Sequence, residues 1–113
     1  MKIILFFAKK IINSPININF SVIKKDNDFI IDKNPKIGFF DSELFEFPLI
    51  LRKWKQGDYF IPLGMKNLKK VSDFFIDNKL SISEKENTWI LESANKIVWI
   101  IGKRIDERFK VSN

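Results

Sequence analysis

Five consecutive apolar residues, Ile97-Val98-Trp99-Ile100-Ile101, constrain this chain more than any other stretch. Successive side chains on a strand point to opposite faces, so a strand with one wet face alternates apolar and polar residues. A run without a polar member must be covered on both faces, and residues 97–101 therefore predict a central strand with packing on each side. The residues before it read as its hairpin partner. Residues 88–92 form a strand, Ser93-Ala94-Asn95 supplies the turn, and residues 96–101 return. Gly102 breaks the run, and residues 104–111 close the chain as a turn and an edge strand.

The other elements are expected to build on this pair. Residues 1–16 are apolar with a Lys9-Lys10 pair and read equally as strand or short helix. Ile18, Phe20 and Val22 alternate as in a half-buried strand; Lys25-Asp26-Asn27-Asp28 turns, and residues 29–31 return to make a hairpin. Residues 36–40 predict a short strand, with Asp41-Ser42 capping one turn that holds Leu44 and Phe45. A strand starts at Pro48, and Gln56-Gly57-Asp58 is a tight turn into a strand at Tyr59-Phe60-Ile61. Leu68, Val71, Phe74 and Phe75 form an apolar stripe that predicts a helix over residues 67–79. Ser83-Glu84-Lys85-Glu86 matches a capping box opening a further helical turn. The fold class expected is α+β: a β-rich, mixed-sheet or sandwich-like domain with one main amphipathic helix. Residues 1–46 form an N-terminal scaffold region and residues 47–113 the main domain.

Composition removes much of the chemistry. Of 113 residues none is cysteine or histidine, which excludes disulfides, thiolate nucleophiles and the commonest general base and metal ligand. The four glycines, Gly38, Gly57, Gly64 and Gly102, are isolated and cannot make a phosphate-cradling loop. The carboxylate pairs Asp73/Asp77 and Asp106/Glu107 have basic neighbours that keep them ionised, whereas acid–base pairing needs one carboxyl held neutral. No apolar run nears the ~18–20 residues of a membrane span. The start carries a lysine and a short apolar run like a secretion signal. Lys9-Lys10 breaks that run and no small-residue cleavage site follows, so a cytoplasmic, non-membrane protein is expected.

The net charge is +6, and residues 51–79 hold seven cations against three carboxylates, +7 − 3 = +4. Such a concentrated field suits a polyanion, whether nucleic acid or an anionic surface. Arg52, Lys53 and Lys55 lie at a strand end. Lys66, Lys69 and Lys70 fall at the expected helix start, where the macrodipole disfavours cations but exposed N–H groups suit phosphate. Lys69 is also placed to pair with Asp73 at i, i+4. Arg52 has no carboxylate nearer than Glu46 and Asp58, each six residues away, and reads as free for a ligand. Arg104 and Arg108 flank Asp106 and Glu107, leaving internal salt bridges and phosphate contacts both open. Trp54 and Tyr59 bracket basic residues and are candidates for base or ribose stacking, although aromatics at strand spacing are usually core. Trp89 and Trp99 read as core.

Four motifs carry a resemblance: R-x-W-x-x-G-D at Arg52, Trp54, Gly57 and Asp58; P-L-G-M at residues 62–65; K-x-S-D-x-F at Lys70, Ser72, Asp73 and Phe75; and G-x-R-I-D-x-R from Gly102 to Arg108. In this order and spacing, residues 48–111 resemble the C-terminal domain of tRNA(Ile)-lysidine synthase. The segment after the helix, where many members carry an arginine and a proline, reads Ser83-Glu84-Lys85-Glu86-Asn87 here. The resemblance implies a β-rich α+β fold related to a domain of the phenylalanyl-tRNA synthetase β subunit, and a role in recognising the acceptor-stem side of tRNA. In the family, a PP-loop domain with an S-G-G-x-D-S loop uses ATP and Mg to join lysine to the anticodon cytidine of a minor tRNA(Ile). That loop is absent from this sequence, so the resemblance implies no catalytic residue and no cofactor in this chain. The implied partners are tRNA and a catalytic PP-loop domain, in cis or as a separate chain. An interaction module that docks on that domain, or pairs as a homodimer through residues 1–16, stays open beside the RNA-binding reading.

Overall fold

The structure, a computed structural model, describes residues 34–111 and the backbone of two strands at 2–9 and 17–24. Every described ladder is antiparallel, in three sheets. β1 (Lys2–Lys9) lies between β2 (Asn17–Lys24) and β3 (Ile37–Asp41). The second sheet has the order β4 (Ile50–Lys53), β7 (Trp89–Ser93), β8 (Lys96–Ile100), β9 (Arg104–Ile105). β5 (Tyr59–Phe60) and β6 (Lys69–Lys70) make a small third pair. Helices α1 (Val71–Asp77) and α2 (Ile82–Glu86), with 3-10 turns at Ser42–Leu44 and Glu107–Phe109, complete an α+β fold.

β8 is the central strand its composition demanded. Residues 97–101 are all buried, and they divide between two cores. On one face, Leu91 pairs with Trp99, and they pack with Phe40, Phe45, Val98, Ile101 and Phe109. On the other, Ile90 pairs with Ile100, and they pack with Phe60, Val71, Phe74, Phe75 and Ile97. Strict alternation would send Val98 and Trp99 to opposite faces. A bulge intervenes, since the register shifts between Leu91 and Glu92, and both residues reach the same core. Ala94 (φ 48°) and Asn95 (φ 66°) occupy the left-handed conformations that a two-residue hairpin turn requires. From the first sheet, β3 contributes Phe40, which bridges to Lys110 and meets Trp99 edge-on at 5.9 Å.

Several local expectations are corrected. β2 pairs with β1; the return strand expected at residues 29–31 lies outside the described residues. α1 starts at Val71, four residues later than the apolar stripe predicts, because Lys69-Lys70 pairs with Tyr59-Phe60 as β6. Leu68 is consequently outside the helix and exposed. The capping box that opens α2 is Ser81 with Glu84: Ser81 Oγ accepts from Glu84 N at 3.1 Å, and Glu84 Oε1 accepts from Ser81 N at 3.3 Å. The 3-10 turn at Ser42–Leu44 forms as expected, with Asp41 accepting from Glu43 N at 3.0 Å.

Candidate nucleic-acid interface

The basic stretch is shaped by two short motifs that fold back on themselves. After β4 the chain turns tightly, Asp58 N donating to Lys55 O at 3.2 Å with Gly57 at φ 91°. The Asp58 carboxylate, nearly buried, accepts from Lys55 N at 2.8 Å and from Arg52 Nη1 and Nη2 at 3.0 and 2.9 Å. Its carbonyl accepts from Val71 N at 2.9 Å, which lays the turn against the start of α1. β5 leaves this turn, runs into an exposed loop at residues 63–68, and returns as β6.

The loop rests on the C-terminal segment. Asp106 is fully buried and accepts from Ile61 N at 2.8 Å; its other contacts are Arg108 N, Nε and Nη2 at 2.8, 3.0 and 2.9 Å. Leu63 N donates to Ile105 O at 3.1 Å, and Arg104 Nη2 donates to Leu63 O at 2.9 Å. Gly64 N donates to Glu107 Oε1 at 2.8 Å, and Met65 N closes on Pro62 O at 2.9 Å. Asp106 N in turn donates to Val98 O at 2.8 Å, so the loop is anchored to the bulge in the central strand.

This geometry sorts the cations singled out in the sequence. Arg52 is not free: besides Asp58 it holds Glu92, Nε to Oε2 at 2.8 Å, and these two carboxylates raise its pKa against the opposing effect of burial. Lys53 Nζ donates to Glu86 O at 2.6 Å and stands 4.9 Å from the centroid of the Trp89 ring. Lys69 pairs with Asp77 rather than Asp73. Arg108 pairs with Asp106, and Arg104 is exposed but donates to the Leu63 carbonyl. Lys66 and Lys69 precede α1, and Lys70 sits at its N-cap without a side-chain bond. Of the three expected at the helix start, Lys70 therefore stands there as the N-cap, while Lys66 and Lys69 lie ahead of it because the helix begins later. Among the described residues no hydrogen-bond or ion-pair partner meets the ammonium groups of Lys55, Lys66 and Lys70, and all three are exposed.

The two aromatic candidates separate as well. Trp54 donates from Nε1 to Lys85 O at 2.8 Å and meets Phe75 edge-on at 4.9 Å, so its half-buried ring packs against the core. Tyr59 is 44 % exposed and lies directly across from Lys70 in the β5–β6 ladder, which puts both side chains on one face. Asp58, Asp106 and Glu107 escaped the sequence reading as organisers of this surface. Their long-range partners give no local signal, although the strict spacing of R-x-W-x-x-G-D and R-I-D-x-R marked both motifs as special.

An α+β domain whose β5–β6 pair, connecting loop and preceding turn carry unpaired lysines and an exposed tyrosine is the class that fold and site define. Residues 49–113 match the model of the TilS substrate C-terminal domain, and the chain belongs to that family. It is similar to tRNA(Ile)-lysidine synthase of Parabacteroides distasonis, 48 % identical over 103 residues, covering 91 % of this chain and 24 % of that protein. The enzyme of the same name from Clostridium tetani is 35 % identical over 108 residues, covering 96 % and 23 %. A solved structure described as the crystal structure of the TILS C-terminal domain superposes with TM-score 0.57 at 28 % identity, covering 66 % of this chain and 57 % of that one. The chain thus spans about a quarter of the length of these curated relatives.

Proposed function

We propose that this chain is the RNA-recognition part of a tRNA(Ile)-lysidine synthase and binds the acceptor-stem side of a minor isoleucine tRNA. The observation that carries this reading is the group of lysines without internal partners, Lys55, Lys66 and Lys70, with Tyr59 beside Lys70. A-form RNA offers phosphates and 2′-hydroxyls, which lysines meet without base-specific geometry. Lys53, Lys69, Arg104 and Arg108 add their charge to the chain's positive field while holding internal partners. Joining lysine to the anticodon cytidine is then the work of a PP-loop domain outside this sequence, in the cytoplasm. ATP and Mg belong with that domain. The isolated glycines of this sequence offer no phosphate cradle. Titration with an isoleucine tRNA transcript tests the reading. Affinity should fall with salt at a log–log slope of ~0.7–0.9 per phosphate contacted. Salt-independent binding, or none at low salt, refutes it.

A second reading is an interaction module that docks on the catalytic domain or on a second copy. Leu44, Phe47, Ile50 and Leu51 favour it, being apolar and exposed along or just before β4, the edge of its sheet among the described strands. Sedimentation of the chain with Phe47→Ser and Ile50→Ser, compared with the parent, tests it; monomers in both cases exclude self-association.

A further inference from the structure

We propose that Glu107 is a positioning residue for RNA binding: its carboxylate fixes the loop at residues 62–65 and thereby sets where Lys66 meets a phosphate. This inference rests on the RNA-binding reading above. Leu63, Gly64, Met65 and Lys66 are all exposed, so burial beyond Pro62 does not hold the loop in shape. Hydrogen bonds must do so: one closes within the loop, from Met65 N to Pro62 O, and those that tie it to the rest of the fold come from one segment, through Ile105 O, the Arg104 guanidinium and the Glu107 carboxylate. The bond from Gly64 N to Glu107 Oε1 is the last cross-link to that segment before Lys66. Gly64 itself stands at φ +88° with open space around it, a position that glycine adopts readily but that nothing packed nearby enforces. Glu107 is held in turn, since Lys110 forms an ion pair with its other oxygen. An acidic side chain on a basic surface should weaken RNA binding by charge alone. Its hydrogen bond to Gly64 gives it the opposite effect.

The two effects separate by substitution. Glu107→Ala removes both charge and tether, whereas Glu107→Gln removes the charge and keeps an oxygen that accepts from Gly64. Binding of a labelled isoleucine tRNA transcript to the full chain is measured by anisotropy across a range of salt. Glu107→Ala should weaken binding by about eightfold near ~0.1 M salt and lower the slope by about one phosphate's worth, ~0.9. Glu107→Gln should bind as tightly as the parent or more so. Glu107→Ala added to Lys66→Ala should cost nothing further, because the two act through one contact. The Gly64 amide resonance should move in Glu107→Ala while core amides such as Ile100 stay in place, showing that the fold is intact. Equal tightening in Glu107→Ala and Glu107→Gln would overturn the proposal, as would additive losses with Lys66→Ala. If Lys66→Ala weakens binding and Glu107→Ala does not, the positioning role alone falls. If neither weakens binding, Lys66 meets no phosphate and the positioning role falls; if the parent chain itself does not bind the transcript, the RNA-binding reading falls with it.

Discussion

The Arg52 guanidinium lies end-on across the Asp58 carboxylate, with Nη1 3.0 Å from Oδ2 and Nη2 2.9 Å from Oδ1. Its Nε simultaneously holds Glu92, so one side chain joins the tight turn at residues 55–58 to strand β7. Only a planar fork satisfies this arrangement. Arg52→Lys should therefore destabilise the chain by ~1–3 kcal/mol in urea unfolding, by loss of charge-assisted bonds at a mostly buried site. The salt slope of RNA binding should be unchanged, because Arg52 is occupied internally. A lost phosphate contact with unaltered stability would show that Arg52 serves the ligand instead.

Gly38 is required by packing. A Cβ there would lie 2.5 Å from Phe40 Cε2 and 2.6 Å from Cζ. Phe40 is fully buried against Trp99, so its ring has no room to yield. Gly38→Ala should cost ~1–3 kcal/mol by overpacking, seen as a lower melting temperature. An unchanged melting temperature would contradict this packing.

Two serines stand at the start of α2, Ser81 at its N-cap and Ser83 in its first turn, and each fits S-x-x-E: Ser81 with Glu84, and Ser83 with Glu86. The structure uses the first. Ser81→Ala should lose ~1 kcal/mol and Ser83→Ala no more than ~0.5 kcal/mol in denaturant midpoints. The reverse ranking would place the helix start two residues later.

The pairing of Glu107 with Lys110, and then its bond from Gly64 N, lower the Glu107 pKa below its ordinary 4.5. Between the lowered value and 4.5 the folded chain binds fewer protons than the unfolded one, so stability rises with pH there. The contribution is complete above 4.5 and lost as pH falls through the lowered value. Unfolding midpoints followed through this acid range should decline less steeply for Glu107→Gln than for the parent. Identical acid limbs would show that the carboxylate gains nothing from folding.

What was legible in the sequence follows from the range of the forces involved. β8 could be read because five apolar residues admit only a covered strand, and its hairpin because the turn is local. The start of α1 could not. Leu68 lies at helical spacing from Val71 and Phe75, but Gly64 and Met65 turn the chain back so that Lys69-Lys70 pairs with Tyr59-Phe60. The charge concentration was legible, while its division was not. Glu92 lies 40 residues from Arg52 and Asp77 eight from Lys69, distances that only the folded chain closes. The same limit hid Asp106 and Glu107, whose partners Ile61 and Gly64 belong to another motif.

The central claim is that Lys55, Lys66 and Lys70 are held free to meet RNA phosphates. The salt dependence of isoleucine tRNA affinity tests it most directly, for the parent chain and for the triple variant Lys55→Gln, Lys66→Gln, Lys70→Gln. The variant should fold as stably as the parent, bind more weakly, and show a log–log slope smaller by ~2–2.7, the share of three phosphate contacts. An unchanged affinity and slope in the triple variant would contradict the account.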